Sequence, residues 1–97
     1  MNVTVFSKGK RFLSRIETAA GKFIHHVHGY SLEAKEVGRD FFVYYDKSRQ
    51  VWAVHDYLTG QRIAAAEDYG AALEAFKKTA RRLNWNALES LPAINCD

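Results

Sequence analysis

Two residue types that shape many small folds are almost missing from this 97-residue chain: it has one cysteine, Cys96, and one proline, Pro92, both near the C-terminal end. A lone cysteine cannot close an internal disulfide, so stability has to come from an apolar core, and a reducing compartment is the expected setting. Cys96 is expected to be a free, solvated thiol. The longest apolar runs are only a few residues, too short for a helix across a bilayer. Met1-Asn2-Val3-Thr4-Val5-Phe6 lacks the long apolar core of a signal peptide. The expected location is therefore the cytoplasm, that of a host cell if the chain is phage-encoded. Internal repeats and low-complexity segments are also missing, and no catalytic or metal signature stands out.

What is present is an ordinary globular balance, 47% hydrophobic and 26% charged residues, which excludes disorder of the whole chain and suits one small domain. Residues 1–97 are expected to form that domain, with a core over 3–85 and a tail over 86–97. A chain of this size can bury a real core without metal or disulfide support. The net charge of +3 is unevenly spread. Residues 1–30 carry Lys8, Lys10, Arg11, Arg15 and Lys22 against Glu17 alone, and the remainder is nearly balanced. The basic first third is either an anion-facing surface or a solvated one.

The clearest elements lie between residues 40 and 83. Phe41-Phe42-Val43-Tyr44-Tyr45 and Val51-Trp52-Ala53-Val54 are aromatic and β-branched, which suits a pleated, half-buried surface. Asp46-Lys47-Ser48-Arg49 separates them as a turn. Tyr57-Leu58-Thr59-Gly60 makes the next turn, with Gly60 able to take positive φ. Gln61-Arg62-Ile63-Ala64-Ala65-Ala66 reads as a third strand, although its alanines also suit a helix. Asp68 is the expected N-cap of a helix over 68–83, with Leu73, Phe76, Ala80 and Leu83 as its apolar stripe and a Glu74–Lys78 ion pair. Residues 85–92 predict a short extra turn and then a tail.

Upstream, Val3-Thr4-Val5-Phe6 is a plausible short strand. Leu13, Ile16, Ala20, Phe23 and Val27 follow a 3-4-3-4 spacing that predicts an amphipathic helix, with Ser7 as a possible cap and Gly29 as its C-terminal stop. The alternative is two strands, 11–18 and 22–28, joined by Ala19-Ala20-Gly21, because Gly21 costs a helix interior roughly 1 kcal/mol. Residues 30–38 read as a connection. The expected fold class is thus α+β: a small single domain with an N-terminal helix, a three-stranded antiparallel meander and a C-terminal helix, and a possible extra short N-terminal strand.

Candidate chemistry is sparse. His25-His26-Val27-His28 offers two histidines on one side of either a helix or a strand, but it has no second ligand pair and no nearby cysteine. No metal and no cofactor are expected. His55-Asp56 ends a strand, where adjacent side chains point to opposite faces, and no serine or second cysteine is placed by sequence as a nucleophile. No catalytic residues are expected.

The surfaces are more informative. Both faces of the aromatic strands are rich in rings, so either elements cover both sides or one face is an open docking surface. The basic residues Lys8, Lys10, Arg11 and Arg15 can line one helix, and Lys77, Lys78, Arg81 and Arg82 another, as a track for phosphates. The candidate partner-binding residues are therefore Phe42, Tyr44 and Trp52 with Lys8, Arg11, Arg15, Lys22, Lys77, Lys78, Arg81 and Arg82. Self-association through the aromatic face or the heptad stripe is a further possibility.

Two resemblances bear on function. The order helix, three strands, helix over residues 10–83 resembles that of double-stranded-RNA-binding domains, which implies nucleic-acid binding. That family places lysines at the start of its second helix. Here that position is Glu67-Asp68-Tyr69-Gly70, and Lys77 and Lys78 come later. The compact pattern Trp52-Ala53-Val54-His55-Asp56, then Thr59-Gly60 and Ile63-Ala64-Ala65-Ala66 before a helix, is similar to small phage and prophage accessory proteins, anti-CRISPR proteins among them. That likeness implies a non-enzymatic inhibitor encoded by a phage or mobile element, which docks on a host protein or ribonucleoprotein such as a CRISPR-Cas effector. Direct nucleic-acid binding is the alternative.

Overall fold

The computed structural model describes residues 1–95; the expectation for Cys96 lies outside them. It is a five-stranded antiparallel sheet in meander order, followed by two short helices. The strands are β1 (Thr4–Thr18), β2 (Gly21–Ala34), β3 (Arg39–Asp46), β4 (Val51–Asp56) and β5 (Arg62–Ala66); the helices are α1 (Tyr69–Ala80) and α2 (Trp85–Glu89). No helix of the described residues is long and apolar enough to cross a membrane.

The expected N-terminal helix is absent, and with it the three-stranded architecture. Residues 4–34 form a long hairpin instead, with Thr18 opposite Gly21, Ser14 opposite His25 and Phe12 opposite Val27. The helical spacing misled because a second, period-two pattern runs through the same residues. Phe12, Ser14 and Ile16 alternate on β1, and Phe23, His25 and Val27 on β2. Directly opposed residues share a face, so these six line one side of the hairpin. Ser7 and Gly29, read as helix ends, lie inside strands, and residues 31–34, read as a connection, extend β2 to pair with β3. The helix–strands–helix order behind the RNA-binding resemblance is therefore missing.

The sheet curls, and each face has its own cover. On one face, Phe41, Val43, Val54 and Ala64 pack under α1 through Phe76 and Ala80. The Phe41 and Phe76 rings meet edge to face at 4.7 Å, each buried ring of this kind contributing roughly 1.5–3 kcal/mol. Asp68 caps α1 by accepting from the Ala71 N–H. At the end of this face Arg39 forks onto Asp56 at 2.9 and 3.0 Å and lies over the Trp85 ring. The hydrogen bond to Asp56 is the main reason the Arg39 guanidinium titrates above its ordinary value.

On the opposite face the hairpin bends back over β3 and β4. Phe12 stacks on Phe42 at 4.5 Å, and Tyr44 and Ala53 complete the cluster. Gly29 permits the bend, because a Cβ there would collide with the Val43 carbonyl and with Tyr44. Gly60, at φ 71°, approaches β1 so closely that a Cβ would lie 2.9 Å from the Leu13 carbonyl oxygen. Its own carbonyl accepts from the Arg15 N–H at 2.9 Å. The C-terminal segment then clips the free edge of β1: Asn95 accepts from the Leu13 N–H and donates to the Leu13 and Tyr57 carbonyls. An otherwise open strand edge is covered in this way.

Candidate functional site

The curled face traps polar groups whose bonds define what they can do. His55 and Ser14 are both fully buried, with His55 Nδ1 3.1 Å from Ser14 Oγ and 2.8 Å from the Gly60 carbonyl oxygen. A carbonyl only accepts, so Nδ1 carries the proton and donates. It therefore cannot take a proton from Ser14, and the pair is not an activated nucleophile. Burial is the chief cause that pushes His55 down to about 4, which keeps the ring neutral at ordinary pH. Asp56, its chain neighbour, points to the other face, towards Arg39 and Thr59.

At the mouth of the same curled face lies a groove of about 570 Å³. Its walls are the distal hairpin, the β3–β4 turn and the start of β5, and Leu91 also lines it. Asp46 organises one wall. Its carboxylate accepts from the Ser48 and Arg49 N–H groups and from Ser48 Oγ, the self-capping that makes Asp a turn former. Its second oxygen holds Arg49 at 3.1 Å and Arg62 at 3.5 Å. Burial opposes ionisation of Asp46, but the bonds from Ser48 and Arg49 outweigh it and the carboxyl titrates below its ordinary value. A register shift between β4 and β5 places Arg62 opposite His55, on the curled face.

Arg15 forms the facing wall. Its Nε donates to the Thr59 carbonyl at 2.7 Å and its Nη2 to the Pro92 carbonyl at 2.8 Å. No salt bridge engages Arg15 or Lys22 among the described residues. Ile16, Phe23 and Ile24 supply apolar surface beside these cations.

The residues expected to bind partners are dispersed. Phe42 and Tyr44 are buried beneath the hairpin and cannot form an open docking face. Trp52 is half-buried between Tyr45 and Tyr69. Lys8, Arg11 and Lys22 are exposed on the hairpin, and Arg15 is half-buried at the groove. Lys77 and Lys78 belong to α1, and Arg81 and Arg82 follow it, on the opposite side of the sheet from the hairpin. The two basic clusters do not form one track. Glu74 pairs with Lys77 rather than Lys78. His26 and His28 sit on the outer side of β2 and His25 on the inner side. Among the described residues no three His, Cys, Asp or Glu side chains are grouped as a metal site requires.

Sequence reasoning missed Arg49 and Arg62. The turn signature Asp46-Lys47-Ser48-Arg49 was a usable signal, since an Asp that caps its own turn brings the residue three positions on to its carboxylate. Nothing local marked Arg62, because the register shift that aims it depends on a neighbouring strand. No protein-family model matches the chain, and no curated protein and no solved structure is significantly similar to it.

Proposed function

We propose that this chain is a non-enzymatic binding protein of phage or mobile-element origin. It acts in the host cytoplasm by docking its β1–β2 hairpin on a host protein or ribonucleoprotein complex and inhibiting it. One observation carries the reading: of the six large apolar side chains left exposed among the described residues, Phe6, Phe23, Ile24 and Tyr30 all belong to this hairpin. They are interleaved with the exposed cations Lys8, Lys10, Arg11 and Lys22. Aromatic and aliphatic anchors among positive charges are the composition of a contact surface. The bonding of Ser14 and His55 supports a role without substrate turnover. The pattern-level resemblance of the sequence to small phage accessory proteins suggests the partner class, with a CRISPR-Cas effector as the first candidate.

The test is an interference assay in cells that carry an active CRISPR-Cas system, with wild type compared against Phe23→Asp/Ile24→Asp. Wild type is expected to restore plaque formation and to co-purify with the effector in fixed ratio, and the double variant to do neither. Normal interference in the presence of wild-type protein, together with no stoichiometric partner in host lysate, sinks the reading. Direct nucleic-acid binding is the second reading; the cation-lined groove favours it, whereas the separated basic clusters do not.

A further inference from the structure

Among the described residues the groove carries more positive than negative charge. There Arg15 is held by two neutral carbonyl oxygens and by no carboxylate. Arg49 and Arg62 share the single carboxylate of Asp46. Lys22 adds a fourth cation, and among the described residues Glu17, which pairs opposite Lys22, is the one other acid on the walls. A guanidinium in a groove with no counter-ion among the described residues is poised for an anion. Arg15 is also pre-positioned: Nε and Nη2 are anchored and no bond of Nη1 is made among the described residues, so little side-chain entropy is lost when it binds.

The apolar part of the groove narrows the choice of anion. Phe23, 44% exposed, stands at the hairpin end with Ile16 opposite it on the same face. A small inorganic anion has no use for that surface, whereas a nucleotide has both a phosphate for the cations and a flat base for the ring.

We infer that the groove between the distal hairpin and the Asp46–Arg49–Arg62 wall is a nucleotide-binding site. The phosphate is taken by Arg15, Arg62 and Lys22, and an unpaired base by Phe23. The nucleotide is supplied either free in solution or as one unit of a single strand. A duplex is a poor fit, since its base faces are hidden in the stack. The inference rests on the binding-protein reading above and deepens it by naming the chemical class of ligand that the groove takes.

The test is a fluorescence-anisotropy titration of the full chain with a labelled single-stranded oligouridylate, in competition with UMP and with the matching duplex, at two salt concentrations. Binding is expected to weaken with salt, with a slope of roughly −0.7 in log K against log salt for the one phosphate held in the groove. Lys22→Gln/Arg62→Gln is expected to weaken binding about tenfold or more, and Phe23→Ala by about fivefold or more. Lys77→Gln/Lys78→Gln, which removes the same charge from the opposite side, is expected to leave binding unchanged. Full displacement by UMP assigns the site to a free nucleotide, and resistance to UMP assigns it to a strand; both support the site. No binding at low salt overturns the inference, as does an equal loss in the Lys77/Lys78 control, and partner capture through Phe23 and Ile24 would still stand. Conversion of the nucleotide to a product during the titration would instead overturn the non-enzymatic reading and leave the groove in place.

Discussion

On the face under α1, Phe41, Val43, Val54 and Phe76 meet through carbon contacts, and the cover is an element that follows β5 directly in the chain. On the face under the hairpin, Phe12 and Phe42 share their interior with Ser14, Tyr44 and His55. That cover is held to distant parts of the chain by directional bonds: Leu13 to Asn95, Arg15 to Thr59 and Pro92, Ser14 to His55. Apolar burial is strong but non-directional. A local helix needs only that, because its short connection leaves few ways to dock. A long hairpin folding back over a sheet has many alternative placements, and hydrogen bonds to named backbone groups choose one of them.

The comparison can be broken most directly at the rings. Phe76→Ala is expected to cost about 3–5 kcal/mol in urea unfolding, and Phe12→Ala to fall at the lower end of that range because the hairpin can settle into the space. Equal losses would mean that both covers are packed alike. The next largest effect is a pH dependence confined to the hairpin side. Burial holds folded His55 near 4 against an ordinary 6.5. Between those values only the unfolded chain takes up the proton, so stability is complete above about pH 6.5 and falls as pH drops towards 4, by roughly 3 kcal/mol in total. His55→Asn should flatten that part of the profile in urea melts run across pH; an unchanged profile would assign it to other groups.

Asn95→Ala strips the clip from the β1 edge and leaves the Leu13 backbone groups without that partner. A loss of about 1–3 kcal/mol is expected, with faster hydrogen exchange at Leu13 and Arg15 and none at Phe76. Acceleration at all three would show that the two covers open as one unit. The smallest effect belongs to the exposed hairpin end, where Phe23→Asp/Ile24→Asp should change stability by less than about 0.5 kcal/mol while abolishing partner capture. A larger loss of stability would place those side chains in the fold rather than at its surface.

Parts of this division were legible in the chain. Strand positions in the aromatic segments, the Asp46 and Gly60 turns, the Asp68 cap and the Leu73–Phe76–Ala80 stripe all rest on interactions within a few residues. The N-terminal third was not legible, because Leu13, Ile16, Phe23 and Val27 satisfy a helical spacing while Phe12, Ser14 and His25 satisfy a strand spacing. Local preference alone does not separate the two. The groove was hidden for a related reason: Arg15, Arg49 and Arg62 lie far apart in the chain and meet only when the sheet curls.

From its residues alone, this protein was expected to bury apolar side chains without disulfide support, to place strands at its two aromatic segments, to cap a helix at Asp68 and to carry a basic first third. Those outcomes follow from composition and from contacts between near neighbours. Only the tertiary structure decided that residues 4–34 form a hairpin, that this hairpin buries Phe42 and Tyr44, and that four cations and an exposed ring line one groove. Each of these depends on pairings between distant segments, where burial and hydrogen bonds to a remote strand outweigh the weak local bias of the chain.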